Sequence, residues 1–285
     1  MKVSIYPKNR FPQGLPVLKS CFLLLVWIAI AGLQALHAQD AKLSQLPQTQ
    51  TDSIDKVLQI EALHDSGFNF WENRFKGNWA GVFLGVNGFA QTDYSMYPEH
   101  SNNFMEPTLW KSNCLSINLI QISQRLQRNR NFIGLVTGLG ADFQSYRFDN
   151  DYSIEKGLNR VEPVLLTKEE KLKSKFSSVY LSVPMLIEFQ IPVKHFDNRL
   201  YFSTGVIGSL RLNTHTKVKY EADGKKQKIK DPGDYYLRDF RFSGTIRVGY
   251  RRINLFATYD LQPLFTDQHG PRLYPFTLGI GLITF

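Results

Sequence analysis

The last stretch of the chain, from Leu273 to Phe285, constrains the fold most, because it is long, alternating and uncharged. One side of an extended strand here carries five apolar residues: Tyr274, Phe276, Leu278, Ile280 and Leu282. The other side carries Thr277 and two glycines, and no residue after Arg272 is charged. A strand of a soluble sandwich usually turns a polar or charged face to water. This strand instead suits a wall between lipid and a crowded lumen.

The first residues, 1–38, have the order of an export signal. Four basic residues precede an apolar run from Cys21 to Leu33, and a short Ala-Leu-His-Ala segment follows it. The apolar run is shorter than the roughly 20 residues that a membrane-spanning helix needs. We therefore expect a signal peptide that is cleaved after Ala38.

Cleavage there changes the charge and the cysteine count. It removes four bases and no acid, so the formal net charge falls from +9 to +5. This modest charge on an exported chain is weak evidence for nucleic-acid binding, and we expect no nucleic-acid partner. Cys114 is the only cysteine that remains, so an internal disulfide is excluded.

The rest of the chain divides into a polar leader and a β-rich domain. Residues 39–77 are polar with a weakly amphipathic stretch, and we expect a periplasmic leader that is partly helical or disordered. Residues 78–285 alternate apolar and polar side chains in eight runs. The predicted strands are Asn78–Thr92, Leu115–Leu126, Asn131–Phe148, Phe176–Pro192, Arg199–Tyr220, Tyr235–Tyr250, Ile253–Leu264 and Leu273–Phe285.

The clearest strand is the fourth, which has an unbroken apolar face from Val179 to Ile191. Its other face carries Ser182, Glu188 and other polar residues. Pro184 lies in the middle and cannot donate a backbone hydrogen bond, so we expect a local break there.

The connections between the predicted strands favour one architecture. Long and short connections alternate along the chain, which is typical of a membrane barrel with long loops on one side and tight turns on the other. A soluble ligand-binding barrel would turn its apolar face inward, whereas here we expect the charged face to point inward and the apolar face outward. The predicted fold is all-β: an eight-stranded antiparallel transmembrane up-and-down β-barrel with a short N-terminal periplasmic leader.

Four segments carry a resemblance to a known group: Gly77–Phe89, Gly134–Gly140, Tyr180–Phe189 and Ala257–Phe265. With the final strand, they make the sequence similar to the outer-membrane β-barrel proteins of Bacteroidetes called PorT-like. The resemblance implies an outer-membrane location. It implies little about activity, since a role in protein secretion belongs to only a subset of the group.

The polar faces of the strands carry seven charges that the alternation places in the lumen. They are Asp142, Glu188, Arg211, Asp239, Arg241, Arg247 and Asp260. Buried charges are tolerated when they are paired and hydrogen-bonded, which favours a structural ion-pair network. A proton or ion path is the alternative. The interior of an eight-stranded barrel has room for little besides side chains, which favours the network.

No motif in the sequence predicts catalysis, a metal or a cofactor. The histidines lack metal-ligand spacing, and the paired glycines do not continue into a dinucleotide fingerprint. His100 beside Ser101, and His269 near Asp267, lie on predicted outer loops, so an enzyme acting on envelope lipids is conceivable if they converge. Solvated loop residues are the simpler interpretation, and we expect a protein that is not an enzyme.

Two lysine clusters lie on predicted outer loops. Lys171, Lys173 and Lys175 precede the fourth strand, and Lys225, Lys226 and Lys228 precede the sixth. They could contact anionic lipopolysaccharide, although ordinary solvated charge is an equal alternative. Aromatic residues near strand ends fit interfacial girdles: Trp79, Tyr146, Tyr220, Tyr235, Tyr236 and Tyr274.

The sequence therefore predicts an integral outer-membrane barrel with a structural, surface-binding or assembly-associated role. Its expected partners are outer-membrane lipid, lipopolysaccharide and the barrel-assembly machinery. Three alternatives stay open: a PorT-like accessory of protein secretion, a narrow ion channel and an envelope-lipid-modifying enzyme.

Overall fold

A computed structural model describes residues 75–98, 103–127, 132–166, 171–193, 195–222 and 225–284. The expected signal peptide, most of the expected leader, and both His100 and Ser101 lie outside the described residues. No helix in the described ranges is long and apolar enough to span a membrane.

The described residues form eleven strands and one short 3-10 turn, Leu109–Lys111. The strands are β1 Gly81–Asp93, β2 Asn113–Arg125, β3 Ile133–Arg147, β4 Tyr152–Lys156, β5 Val161–Leu165, β6 Lys171–Val193, β7 His195–Ala222, β8 Lys225–Pro232, β9 Phe240–Tyr250, β10 Ile253–Asp260 and β11 Arg272–Thr284. Eight of them close a ring in the order β1, β2, β3, β6, β7, β9, β10, β11 and back to β1. Every pairing in the ring is antiparallel. The predicted all-β, eight-stranded barrel is confirmed.

The two ends of the barrel differ. Strands β2 and β3, β6 and β7, and β9 and β10 are joined by short connections at one end, which we call the short-turn end. The connections at the other end, the long-loop end, are much longer, as the alternation in the sequence predicts.

Three strands outside the ring were not predicted. Strands β4 and β5 pair as a hairpin within the long connection between β3 and β6. Strand β8 pairs with the outer half of β7, so most of the segment between the fifth and sixth predicted strands is a strand and not a loop. The fourth predicted strand also begins earlier, at Lys171 rather than Phe176. Strand β8 and the start of β6 are rich in lysine and lack an apolar alternation, which is the signal that sequence reading depends on, while β4 and β5 are only five residues each.

The barrel turns its apolar face outward. Along β6, Met185, Ile187 and Phe189 are exposed, while Glu188 and Gln190 between them are buried. The same alternation recurs along β9 and β11. This orientation is opposite to that of a soluble ligand-binding barrel and matches a barrel surrounded by lipid.

The break expected at Pro184 affects only one side of β6. The recorded pairs with β3 pass from Thr137–Met185 to Gly140–Ser182, skipping the proline. The hydroxyl of Thr137 donates to the carbonyl of Pro184 at 2.7 Å. The pairing with β7 continues through Pro184, opposite Ile207, so the strand itself is unbroken.

Two apolar clusters lie at opposite ends of the barrel. The smaller one, at the short-turn end, comprises Phe75, Trp79, Val136, Leu186 and Ile207. The larger one lies at the long-loop end and draws residues from the loops, the β4–β5 hairpin and the barrel wall: Tyr94, Tyr97, Phe104, Met105, Tyr146, Phe148, Ile154, Val161, Phe176, Tyr235, Leu237, Leu264, Phe265 and Leu273. We call this larger cluster the cap.

Candidate functional site

The segment Phe75–Ala80 lies inside the barrel rather than in its wall, and we call it the plug segment. Phe75 and Trp79 are only 5% and 2% exposed. Gly134 on β3 makes room for Phe75, because a Cβ at position 134 would lie 2.3 Å from the Phe75 ring. Phe75 and Gly77, which the sequence assigns to the leader, are thus buried, while Lys76 between them is exposed.

The plug segment joins the wall at Gly81, the first residue of β1. Gly81 has a φ of +149°, and a Cβ there would lie 2.2 Å from the carbonyl oxygen of Ile283. Glycine, which has no Cβ, adopts this φ and lies this close to the neighbouring strand without strain. The chain therefore turns from the lumen into the sheet at this residue.

Amide side chains of the wall bind the backbone of the plug segment. The Gln121 carbonyl accepts from the backbone N–H groups of Trp79 and Ala80 at 2.6 and 2.8 Å, and its amide donates to the Gly77 carbonyl at 2.8 Å. Asn118 donates to the Trp79 carbonyl at 3.1 Å. A buried segment without its own ladder needs such partners. The inward polar positions of β2 were the signal that could have revealed them.

Glu188 also binds the plug segment. Its carboxylate accepts from the backbone and side-chain nitrogens of Asn78 at 3.1 and 2.7 Å. Gln190 donates to Glu188 and to the Lys76 carbonyl, both at 2.6 Å. A predicted lumen charge therefore anchors the plug rather than lining an open path.

Arg247 lies over the plug without a carboxylate partner. Its guanidinium lies 4.2 Å from the Trp79 ring centroid and 4.4 Å from that of Phe83. Phe256 lies farther off, at 5.8 Å. No ion pair involving Arg247 is found among the described residues. Cation–π contacts stabilise a desolvated guanidinium, and these rings act where a carboxylate would be expected.

The lumen contains a buried ion pair near the long-loop ends of β9 and β10. Arg241 donates to Asp260 at 2.9 Å, and their side chains are 7% and 5% exposed. Ser243 donates to the same carboxylate at 2.6 Å, and Arg241 also donates to Gln144 at 3.0 Å. The Tyr180 ring lies 3.9 Å from the guanidinium. Such pairing and hydrogen bonding make a buried charge pair tolerable.

Among the described residues, the other predicted lumen charges form no ion pair with Arg241 or Asp260. Asp142 is half-buried and accepts from the hydroxyl of Ser182. Arg211 and Asp239 form an ion pair at 2.5 Å near the long-loop end, where Asp239 is 48% exposed. The seven charges therefore form separate groups along the barrel and not one chain of contacts.

The cap closes the long-loop end. The hydroxyl of Tyr97 donates to the Val161 carbonyl of the β4–β5 hairpin at 2.6 Å. Tyr146 stacks on Phe89 with centroids 5.0 Å apart. The assignment of Trp79, Tyr146 and Tyr235 to interfacial girdles is wrong, because all three are buried inside. Their apolar surface fills the two ends of the lumen. Tyr274 does face outward, where it stacks on Tyr259 at 6.3 Å.

Among the described residues of the enzyme alternative, the carboxylate of Asp267 does not contact His269. Asp267 forms an ion pair with Arg238 at 2.9 Å. His269 lies against Tyr236 at 4.9 Å, and its Nδ1 contacts the Asp267 carbonyl at 2.7 Å. The described ranges contain no group of three metal-ligating side chains.

An open cleft lies at the same end, beside the cap. It has a volume of about 880 Å³ and is lined by residues of both charges, among them Asp93, Arg160, Glu162 and Arg272.

The lysines predicted on loops lie in strands. Lys173 and Lys175 belong to β6 and Lys228 to β8. Lys171, Lys225 and Lys226 lie in the same strands, but their side chains fall outside the described parts of the structure. The predicted loop placement is therefore wrong for all six, and the lysines occupy fixed positions in a sheet.

Residues 68–265 match the family described as outer membrane protein beta-barrel domain. The chain belongs to this family. No curated protein and no solved structure matches it. The protein is thus an integral outer-membrane barrel. By the rule for such barrels, the short-turn end of this outer-membrane barrel faces the periplasm and the long-loop end faces outward.

Proposed function

We propose that this outer-membrane barrel is a closed, non-enzymatic protein that presents its long-loop end for binding at the cell surface. The observation that carries the proposal is that side chains and the plug segment fill the lumen at both ends. An enzyme would need converging reactive groups, and a channel would need a continuous wet path.

The periplasmic end supports closure through its hydrogen bonds. The plug segment donates to Gln121 and Glu188 on two different strands. Glu188 is 1% exposed and Gln121 is partly buried, so removing the plug would leave polar groups without partners, which costs about 1–3 kcal/mol for each buried group. The plug is therefore held in place as a stable part of the barrel.

The outer end supports a surface role. The cap is a true apolar core, with Phe104, Met105 and Leu273 fully buried. A packed core holds the surrounding loops in fixed positions. The cleft of about 880 Å³ with charges of both signs lies on this rigid surface, which suits recognition of a polar ligand or partner.

Conductance in planar bilayers tests the closure. The purified, refolded protein is compared with Trp79→Gly, which removes the largest side chain of the plug, and with Trp110→Gly, which removes an exposed indole. Heat-modifiable migration on gels establishes that each barrel is folded. We expect no stable ion steps from any of the three, because the cap still closes the barrel when Trp79 is lost. Stable steps from the native protein, altered by Glu188→Ala or Arg247→Ala, would make the lumen a channel and overturn the proposal.

The resemblance to PorT-like proteins of Bacteroidetes supports a second role, as an accessory of protein secretion. In its favour, the plug segment enters at the periplasmic end, where Gln190 holds the Lys76 carbonyl close to the β6–β7 turn. If the signal peptide is cleaved after Ala38, residues 39–74 precede the plug segment, and we expect this stretch to carry the contacts to periplasmic partners. Deletion of residues 39–70 should abolish secretion of client proteins while the barrel still inserts. Unchanged secretion would remove this candidate.

A further inference from the structure

Two rows of basic residues cross the outer part of the sheet. Strands β3, β6, β7 and β8 are neighbours there, and their bases lie directly opposite one another. The first row contains Arg147, Lys175, Lys217 and Lys230. The second row contains Lys173, Lys219 and Lys228. We call these seven residues the basic rim.

The basic rim is on the lipid-facing side of the sheet. Its neighbours along the strands, such as Ser174, Phe176 and Thr216, are buried and point inward. Since side chains alternate along a strand, Lys175 and Lys217 point outward, on the same face as Val179. The rim therefore continues the surface that the apolar band presents to lipid.

The height of the rim matches the lipid headgroups. Val179 is the last apolar residue on the outward face of β6 before Ser177 and Lys175. At the usual rise and tilt of barrel strands, four residues raise Lys175 about 10 Å above Val179. A lysine at that level has its ammonium group beyond the hydrocarbon and among phosphates.

The bases of the basic rim repel one another and form no ion pair with an acidic residue among those described. The pairings of the rim bring five like-charged pairs directly opposite one another, an arrangement that destabilises a sheet. Among the described residues, none of the seven bases has a carboxylate within 4.0 Å in a recorded ion pair. Bound anions would remove this repulsion.

We propose that the basic rim binds the phosphates of an anionic outer-leaflet lipid. The first row crosses four strands and spans about 14 Å, which is wide enough for two phosphates on one headgroup. Lysine ammonium and arginine guanidinium groups form charge-assisted hydrogen bonds to phosphate oxygens. The continuity of the rim with the lipid-facing band selects a lipid over a soluble polyanion. This site goes beyond the proposed closure and would stand whether or not the lumen conducts.

Lipid retention by the full-length protein tests the site. The folded protein is mixed in detergent with a bis-phosphorylated lipid A, and the lipid that stays bound after purification is counted by native mass spectrometry. The test variant combines Lys175→Gln, Lys217→Gln and Lys230→Gln. The matched control removes three exposed charges elsewhere, by Lys111→Gln, Arg251→Gln and Arg252→Gln.

We expect the native protein and the control to retain the lipid, and the test variant to lose affinity by about tenfold or more. The same three positions changed from Lys to Arg should keep binding. Heat-modifiable migration shows that every variant is folded.

The proposal is overturned by equal losses in the test and control variants, since net charge alone would then explain binding. It is also overturned if the native protein retains a zwitterionic phospholipid equally well, or if inorganic phosphate at the same concentration displaces the lipid.

Discussion

At the scale of single residues, the lumen shows two ways to keep a charge inside a membrane barrel. Arg241 has a carboxylate, a carboxamide and a tyrosine ring as partners. Arg247 has aromatic rings and a carbonyl of the plug segment at 3.5 Å. The two bases therefore respond differently to mutation: Arg241 depends on one acidic partner, and Arg247 depends on the plug staying in place.

Removal of the acidic partner should be costly. Asp260→Asn leaves Arg241 charged and buried without its counter-ion, and such a loss costs about 3–5 kcal/mol. The control is Asp239→Asn, which breaks a pair whose acid is 48% exposed and should cost no more than about 1 kcal/mol. Urea unfolding of the refolded barrel measures both. Similar losses for the two variants would mean that the Arg241–Asp260 pair is not desolvated.

The sequence predicted which strand face carries each charge, but not which charges form ion pairs. Alternation alone assigns Arg241 and Asp260 to the polar sides of β9 and β10. Their contact depends on the register Ser243–Asp260, which the strand sequences do not specify. The aromatic partners of Arg247 could not be predicted either, because Trp79 belongs to the plug segment inside the lumen and not to a strand of the wall.

At the scale of elements, the strands with apolar alternation were predictable and the lysine-rich ones were not. Strand β8 and the first residues of β6 have no apolar face. Residues 227–232 of β8 are all exposed and mostly polar, and the inward residue of the β6 stretch is the small, polar Ser174. Only the backbone pairing with β7 identifies them as strands. The β4–β5 hairpin is short, and its burial comes from the cap rather than from its own pattern.

The cap should weaken in alkali through Tyr97, which lies in a loop outside the membrane. Burial chiefly raises its pKa from 10.0 to about 12. Unfolded Tyr97 then ionises from pH 10 upward while the folded residue stays neutral, so this contribution to stability is full below pH 10 and is lost as the pH rises to about 12. Unfolding at graded pH should show the loss, and Tyr97→Phe should remove that part of the pH dependence. An unchanged profile in the variant would contradict the assignment.

At the scale of the whole molecule, the alternation of long and short connections predicted the up-and-down ring. Apart from β4, β5 and β8, which lie outside the ring, each strand pairs with the next ring strand along the chain. The plug segment was not predictable in the same way. Its residues have no period of two, and its position depends on Gly134 and Gly138 of β3, where a Cβ would meet Phe75 and Trp79.

The central claim is that the plug segment fills the periplasmic end of the barrel. Amide hydrogen exchange of residues 77–80 in the folded protein tests this claim most directly. In the native protein these amides donate to Ser123, Glu188 and Gln121, so we predict slow exchange. Gly134→Ala should speed it, because the new Cβ would meet Phe75 at 2.3 Å. Gly244→Ala should not, since its nearest atom is 3.9 Å away. Exchange at the rate of an unprotected chain in the native protein would contradict the account.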